Sequence, residues 1–177
     1  MKLSEERVNY LIQLEKKILI DSIVLNAYTI NQSFPYNLRF ELTSEDDEDF
    51  AFLWVINQSS KARIKLSLHY QENETYVGLL RIDFNASGHH NPEKATESLP
   101  SKFLPYIGKT FKESEPHVHY HVNDYKTLAW AIPLSDICFI PENILDTSDL
   151  NYNLADAIHS FAKIINLKTE IFINKII

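Results

Sequence analysis

Glycine is nearly missing from this chain, with three in 177 residues, and cysteine and methionine occur once each. So little glycine excludes collagen-like and flexible-linker compositions. A single cysteine, Cys138, excludes an intramolecular disulfide and a cysteine-rich zinc site. Its apolar flanks (DICFI) read as those of an inert core thiol. Arginine is also scarce, confined to Arg7, Arg39, Arg63 and Arg81, and no lysine–arginine stripe runs along the sequence. With a formal net charge of −7, non-specific DNA binding is not expected, because a polyanion is repelled. No apolar run reaches the roughly 18 residues that a membrane-spanning helix needs, so no membrane partner is expected. The charged start, MKLSEERVNY, does not resemble a signal peptide, and a cytoplasmic location is the expectation.

Apolar residues make up 45% and charged residues 23% of the chain, which suits one globular domain over residues 1–177. Ser4 to about Val24 reads as a first helix. Ser4 is its cap, Glu5 and Glu6 lie in its first turn, and Val8, Leu11, Ile12, Leu19, Ile23 and Val24 form its apolar face. From residue 36 the period changes to two. YNLRFELT, FAFLWVI, RIKLSLHY and VGLLRIDF read as four strands of an antiparallel meander. The acidic run SEDDED sits between the first two as a solvated hairpin tip. Residues 85–116 hold prolines and glycines without sustained periodicity, and so long a loop inside a compact domain is usually functional or partly disordered. HVHYHV and LAWAIPL read as a further hairpin. Ser148 or Asp149 caps a last helix through about Ile165, and TEIFINKII closes as a short helix or strand. The expected fold class is α+β, an antiparallel sheet of about six strands flanked by an N-terminal and a C-terminal helix.

Five of the chain's seven histidines fall within residues 89–121. Residues two apart on a strand share a face, so His117, His119 and His121 form a row with about 6.5–7 Å between neighbours. His89 and His90 precede them in the long loop, and Asp83 ends the strand feeding it. If the loop folds back, Asp83, His89, His90, His117 and His119 supply ligands for a divalent metal such as zinc. Without metal, His89, His117 and His119 offer acid/base chemistry on a phosphodiester. Arg81 is the natural phosphate clamp, or else half of a structural pair with Asp83. Solvated surface histidines are the plainer alternative.

HVHYHVN resembles the histidine-triad motif of nucleotide hydrolases and transferases. That resemblance implies a nucleophilic His119, with His117 and His121 orienting it and binding phosphate. It covers seven residues, and Asn123 stands where an apolar residue is usual. A second resemblance runs over about residues 77–173. The order LLRIDF, HHNPE, PHVHYHVNDY, LAWAIPL and then a terminal helix with Phe161 resembles a bacterial and prophage family, domain of unknown function 6978. By position it marks Arg81, Asp83, His89, Asn91, Pro92, Pro116, His117, His119, Tyr125, Trp130 and Ala131. Glu93 and Lys94 depart from that family's Asp-Gly turn. The resemblance implies no activity. It suggests His117 and His119, rather than His121, as the family-typical pair, and Arg81, Asn91, Tyr125 and His121 are the candidate ligand-binding positions.

Three functions follow. The first is a histidine-cluster protein acting on or binding a phosphate-containing ligand, nucleotide or RNA, with a divalent metal as candidate cofactor. The second is a non-enzymatic acidic protein, a phage- or prophage-encoded modulator or inhibitor of a host factor. It would bind its protein partner through Glu45, Asp46, Asp47, Glu48 and Asp49. The third is a small-molecule or metal-binding module with a structural role. Whether the protein is an enzyme stays open at the level of sequence.

Overall fold

A computed structural model describes residues 3–31, 37–44, 50–58, 64–72, 75–84, 88–113, 115–137 and 150–174. The elements run in the order α1 (Glu5–Gln13), β1 (Lys17–Ile20), β2 (Ile23–Leu25), β3 (Ala27–Ile30), β4 (Asn37–Thr43), β5 (Ala51–Gln58), β6 (Ile64–Glu72) and β7 (Thr75–Phe84). The second half adds β8 (His89–His90), a 3-10 helix (Ser101–Tyr106), β9 (Thr110–Phe111), β10 (His117–Tyr120), β11 (Trp130–Pro133), a short 3-10 turn (Leu134–Asp136), α2 (Leu150–Ile164) and β12 (Glu170–Ile173). Eight strands form one antiparallel sheet in the order β11-β10-β7-β6-β5-β4-β1-β2. β12 pairs in parallel with β3, and β8 pairs with β9. The architecture is α+β, with more strands in the main sheet than the six expected.

The main sheet has one buried face. Phe40, Leu42, Phe52, Trp54, Ile56, Leu66, Leu68, Leu80, Ile82 and Val118 alternate onto it and pack against α1 and α2 in one core. Trp54 stacks on Phe161 of α2 with ring centroids 6.3 Å apart. Removing a buried aromatic of this kind costs about 3–5 kcal/mol. Among the described residues no helix is long and apolar enough to cross a membrane.

The first helix is shorter than its apolar pattern predicts. Ser4 does cap it, accepting a hydrogen bond from the Arg7 backbone at 3.2 Å, but it ends at Gln13. Residues 17–25 form the β1–β2 hairpin instead. Ile18, Ile20, Ile23 and Val24 are β-branched and favour a pleated strand. Asp21 and Ser22 both take positive φ, 50° and 65°, as the tight turn of a two-residue hairpin requires. Ile23 and Val24, expected on a buried helical face, are exposed.

Lys16 locks that junction. It is fully buried, and its ammonium donates to the carbonyls of Ile12, Leu14 and Ile165 at 2.7–3.0 Å. Ile12 and Leu14 end α1, Ile165 ends α2, and a cation suits both C-termini. Burial pulls the Lys16 pKa down to about 7.

The HVHYHV strand and its LAWAIPL partner form the expected hairpin, β10 with β11, and β10 joins β7 on its other side. The terminal segment is a strand, β12. The acidic residues 45–49, Cys138, and the expected caps Ser148 and Asp149 lie outside the described residues.

Candidate functional site

The long irregular segment does fold back onto the sheet. It wraps around the β11 edge, and Asn91 is its anchor. Asn91 is fully buried; its Oδ1 accepts from the Ala131 backbone N–H at 2.9 Å, and its Nδ2 donates to the carbonyls of Ala131 at 2.8 Å and Tyr106 at 2.9 Å. One side-chain amide therefore stands in for a neighbouring strand at an open sheet edge. Beneath the wrap a second apolar cluster forms from Phe103, Val122, Trp130 and Ile132. Tyr125 tightens it: its hydroxyl donates to Lys94 O at 2.9 Å and accepts from Thr96 N at 2.7 Å, and its ring meets Trp130 edge-on.

The wrapped segment roofs one corner of the outer sheet face. Register sets His117 opposite Asp83 and His119 opposite Arg81, so all four side chains share that face. Above them Phe111 stacks on His117 with centroids 4.7 Å apart, and His89 meets His119 edge-on at 4.4 Å. Asp83, His117 and His119 are at most 2% exposed. This corner is sealed.

The hydrogen bonds assign the imidazole tautomers. His117 Nδ1–H donates to Glu115 O at 2.7 Å, and His119 Nδ1–H donates to Leu128 O at 2.9 Å. Leu128 holds a positive φ of 57°, a conformation costly for a leucine that aims its carbonyl at His119. Gly78 leaves room for it, since a Cβ there would lie 2.7 Å from Leu128 Cδ1. Both Nε2 atoms are left as lone pairs facing inward. Arg81 donates to His119 Nε2 at 2.8 Å. Asp83 Oδ2 is farther from that nitrogen, at 3.4 Å, so the guanidinium and not the carboxylate holds the hydrogen bond. His117 Nε2 is buried without a hydrogen-bond partner, 3.9 Å from Asp83 Oδ2.

Charge follows the same geometry. Burial by itself would raise the Asp83 pKa, but the charges of Arg81 and Lys65 oppose it and keep the carboxyl below its ordinary range. Arg81 Nε lies 2.8 Å from Asp83 Oδ1 and Lys65 Nζ 4.0 Å from Oδ2. Burial lowers the His117 pKa. Burial, aided by the neighbouring histidines, pushes His89 down to about 4.

Of the residues singled out in the sequence, Asp83, His117 and His119 offer ligand atoms within 4.8 Å of one another. His89 lies beside them, but its Nε2 is turned to Asn91 Oδ1 at 2.9 Å and Ala129 O at 3.1 Å. His90 points away to solvent, bonded to Glu93 and Thr110 at 2.8 Å each. His121 lies just past the end of β10, its backbone N–H donating to Leu79 O, and does not join the cluster. Arg81 is both a partner of Asp83, two residues away on the same strand, and a donor to the cluster. Sequence reasoning missed Phe111, Lys65 and the carbonyls of Glu115 and Leu128. Lys65 alone carried a signal, the alternation of RIKLSL.

Fold and site together define an α+β protein whose antiparallel sheet buries a two-histidine, one-carboxylate cluster under a wrapped loop. The chain belongs to the family of unknown function DUF6978, whose sequence model matches residues 3–167. No curated protein and no solved structure matches it.

Proposed function

We propose that Asp83, His117 and His119 hold a divalent transition metal and that the protein acts on or binds a phosphate-containing ligand beside it, with Arg81 as the anion contact. The observation that carries this reading is the buried, unpartnered Nε2 of His117, directed with a second imidazole nitrogen toward an ionised carboxylate. Arg81 already answers the His119 lone pair and one Asp83 oxygen, so the unanswered repulsion in this dry corner is between the His117 lone pair and Asp83 Oδ2, and a cation between them would relieve it. Tetrahedral ligands at 2.0–2.1 Å from zinc lie about 3.4 Å apart; Asp83 Oδ2 stands 3.4 and 3.9 Å from the two imidazoles, while the three ligand atoms together span 4.8 Å, so the two rings must close toward each other to share one ion. Both Nδ1–H groups are anchored on carbonyls, the usual outer support of metal-binding histidines. Such a donor set leaves open positions, and the ion would supply positive charge and Lewis acidity toward a phosphate oxygen. Arg81 is 28% exposed, and beyond the Nε and Nη2 directed at Asp83 and His119 it keeps further N–H groups for the same anion.

The Arg81 hydrogen bond to His119 favours a second reading, a metal-free structural network, because the guanidinium occupies a lone pair that a metal needs. Equilibrium dialysis of a nucleoside monophosphate, with and without zinc, separates the two. The metal reading expects retention that needs zinc and is lost in Arg81→Gln. Equal retention without zinc, or in Arg81→Gln, contradicts it.

A further inference from the structure

Beyond the roofed corner the outer sheet face carries exposed long side chains over buried Leu53 and Ser67, and the strand register arranges it in rows. Arg39 opposes Val55, Val55 opposes Ser67, Ser67 opposes Arg81, and Arg81 opposes His119. The adjacent row runs Asn37, Asn57, Lys65, Asp83, His117 through the same pairings. Directly opposed residues share a face, so both rows cross the sheet and end at the cluster. From Arg39 on β4 to Arg81 on β7 is three strand spacings, about 14 Å. Arg39 and Asn57 are exposed, and the Lys65 side chain is 41% exposed. Arg39 makes no ion pair or side-chain hydrogen bond among the described residues. Against these cations the rows set one acid, Asp83, which is buried and paired with two of them, Arg81 at 2.8 Å and Lys65 at 4.0 Å. Glu41, two residues from Arg39, is exposed on the same face. His69, also on this face, reports the local field: burial lowers its pKa first, and the charges of Arg39 and Arg81 lower it further.

We infer that this face is the track of a single-stranded oligonucleotide, whose sugar–phosphate backbone crosses β4 to β7 past Arg39, Lys65 and Arg81 and ends at the histidine–aspartate cluster. The inference rests on the phosphate reading above and narrows its ligand from a nucleotide to a strand. Cations spread over about 14 Å exceed what one phosphate can meet. The roof of β8 and β9 over His117 and His119 closes the far end, so a duplex would have to ride over it. The net charge of −7 argues against diffuse binding to polyanions, yet folding gathers two of four scattered arginines onto one row.

Fluorescence anisotropy with a labelled single-stranded RNA dodecamer, and its DNA counterpart, tests the track on the full chain. With three phosphate contacts, log affinity should fall against log salt with a slope of about −2. Arg39→Gln should weaken binding severalfold and flatten the slope by about 0.7. Glu41→Gln should tighten it. Both sites are exposed, and circular dichroism checks folding. A mononucleotide should compete only at far higher concentration than the strand. Arg39-dependent binding that persists in EDTA, in a protein that takes up no zinc, would uphold the track and sink the metal centre. Zinc uptake without strand binding, an Arg39→Gln protein indistinguishable from wild type, or a mononucleotide competing as well as the strand would each overturn the track.

Discussion

His117 and Lys16 are two buried nitrogen groups with opposite fates. His117 keeps a lone pair that nothing answers, whereas Lys16 spends its ammonium on three helix-end carbonyls. The second case fixes a pH dependence. The Lys16 pKa is about 7 in the fold against 10.5 ordinarily, so between those values the unfolded chain binds the extra proton. Stability therefore rises with pH through that window, by up to about 1.4 kcal/mol per unit near its middle. Below pH 7 both states are protonated, and this contribution is flat. Urea midpoints from pH 6 to 9.5 should climb above 7 in the wild type, and Lys16→Met should remove that part of the climb. Parallel profiles would show that Lys16 stays charged in the fold.

At the scale of elements, the wrap of residues 88–113 around β11 makes the site, and Asn91 holds it. Asn91→Ala strands the Ala131 N–H and C=O and the Tyr106 carbonyl, at about 2–4 kcal/mol together. The urea midpoint should drop accordingly, and proteolysis should concentrate within residues 88–113. Cleavage elsewhere first would place the weak point outside the wrap. The sequence hinted at this element through its interrupted period and its His-x-Asn-Pro turn, but not at how it closes. Backbone carbonyls that orient imidazoles leave no trace in residue identity. β1 and β2 were hidden differently: Leu19, Ile23 and Val24 fit a helical period, and only the β-branching of Ile18, Ile20, Ile23 and Val24 and the Asp21–Ser22 turn argued for strands. The strands β4 to β7 were legible because alternation on a half-buried sheet is a strong signal.

For the whole molecule, what composition conceals is register. Arg39, Lys65 and Arg81 are far apart in a chain of negative net charge, and only the pairing of four strands sets them on one face. Which residues oppose one another depends on turn geometry, which period alone does not specify. The same pairing brings Asp83 against His117, so cluster and cationic face are products of one topology. The parallel β3–β12 pair is a long-range example, joining residue 27 to residue 170.

Calorimetric titration of zinc into the metal-stripped protein decides whether Asp83, His117 and His119 form the proposed metal centre. One site per chain is expected, with affinity lowered at least about 10-fold to 100-fold in His117→Ala, His119→Ala and Asp83→Asn, and unchanged in His90→Ala, which alters a neighbouring histidine that faces solvent. No binding by the wild type, or equal binding by His117→Ala, would contradict it.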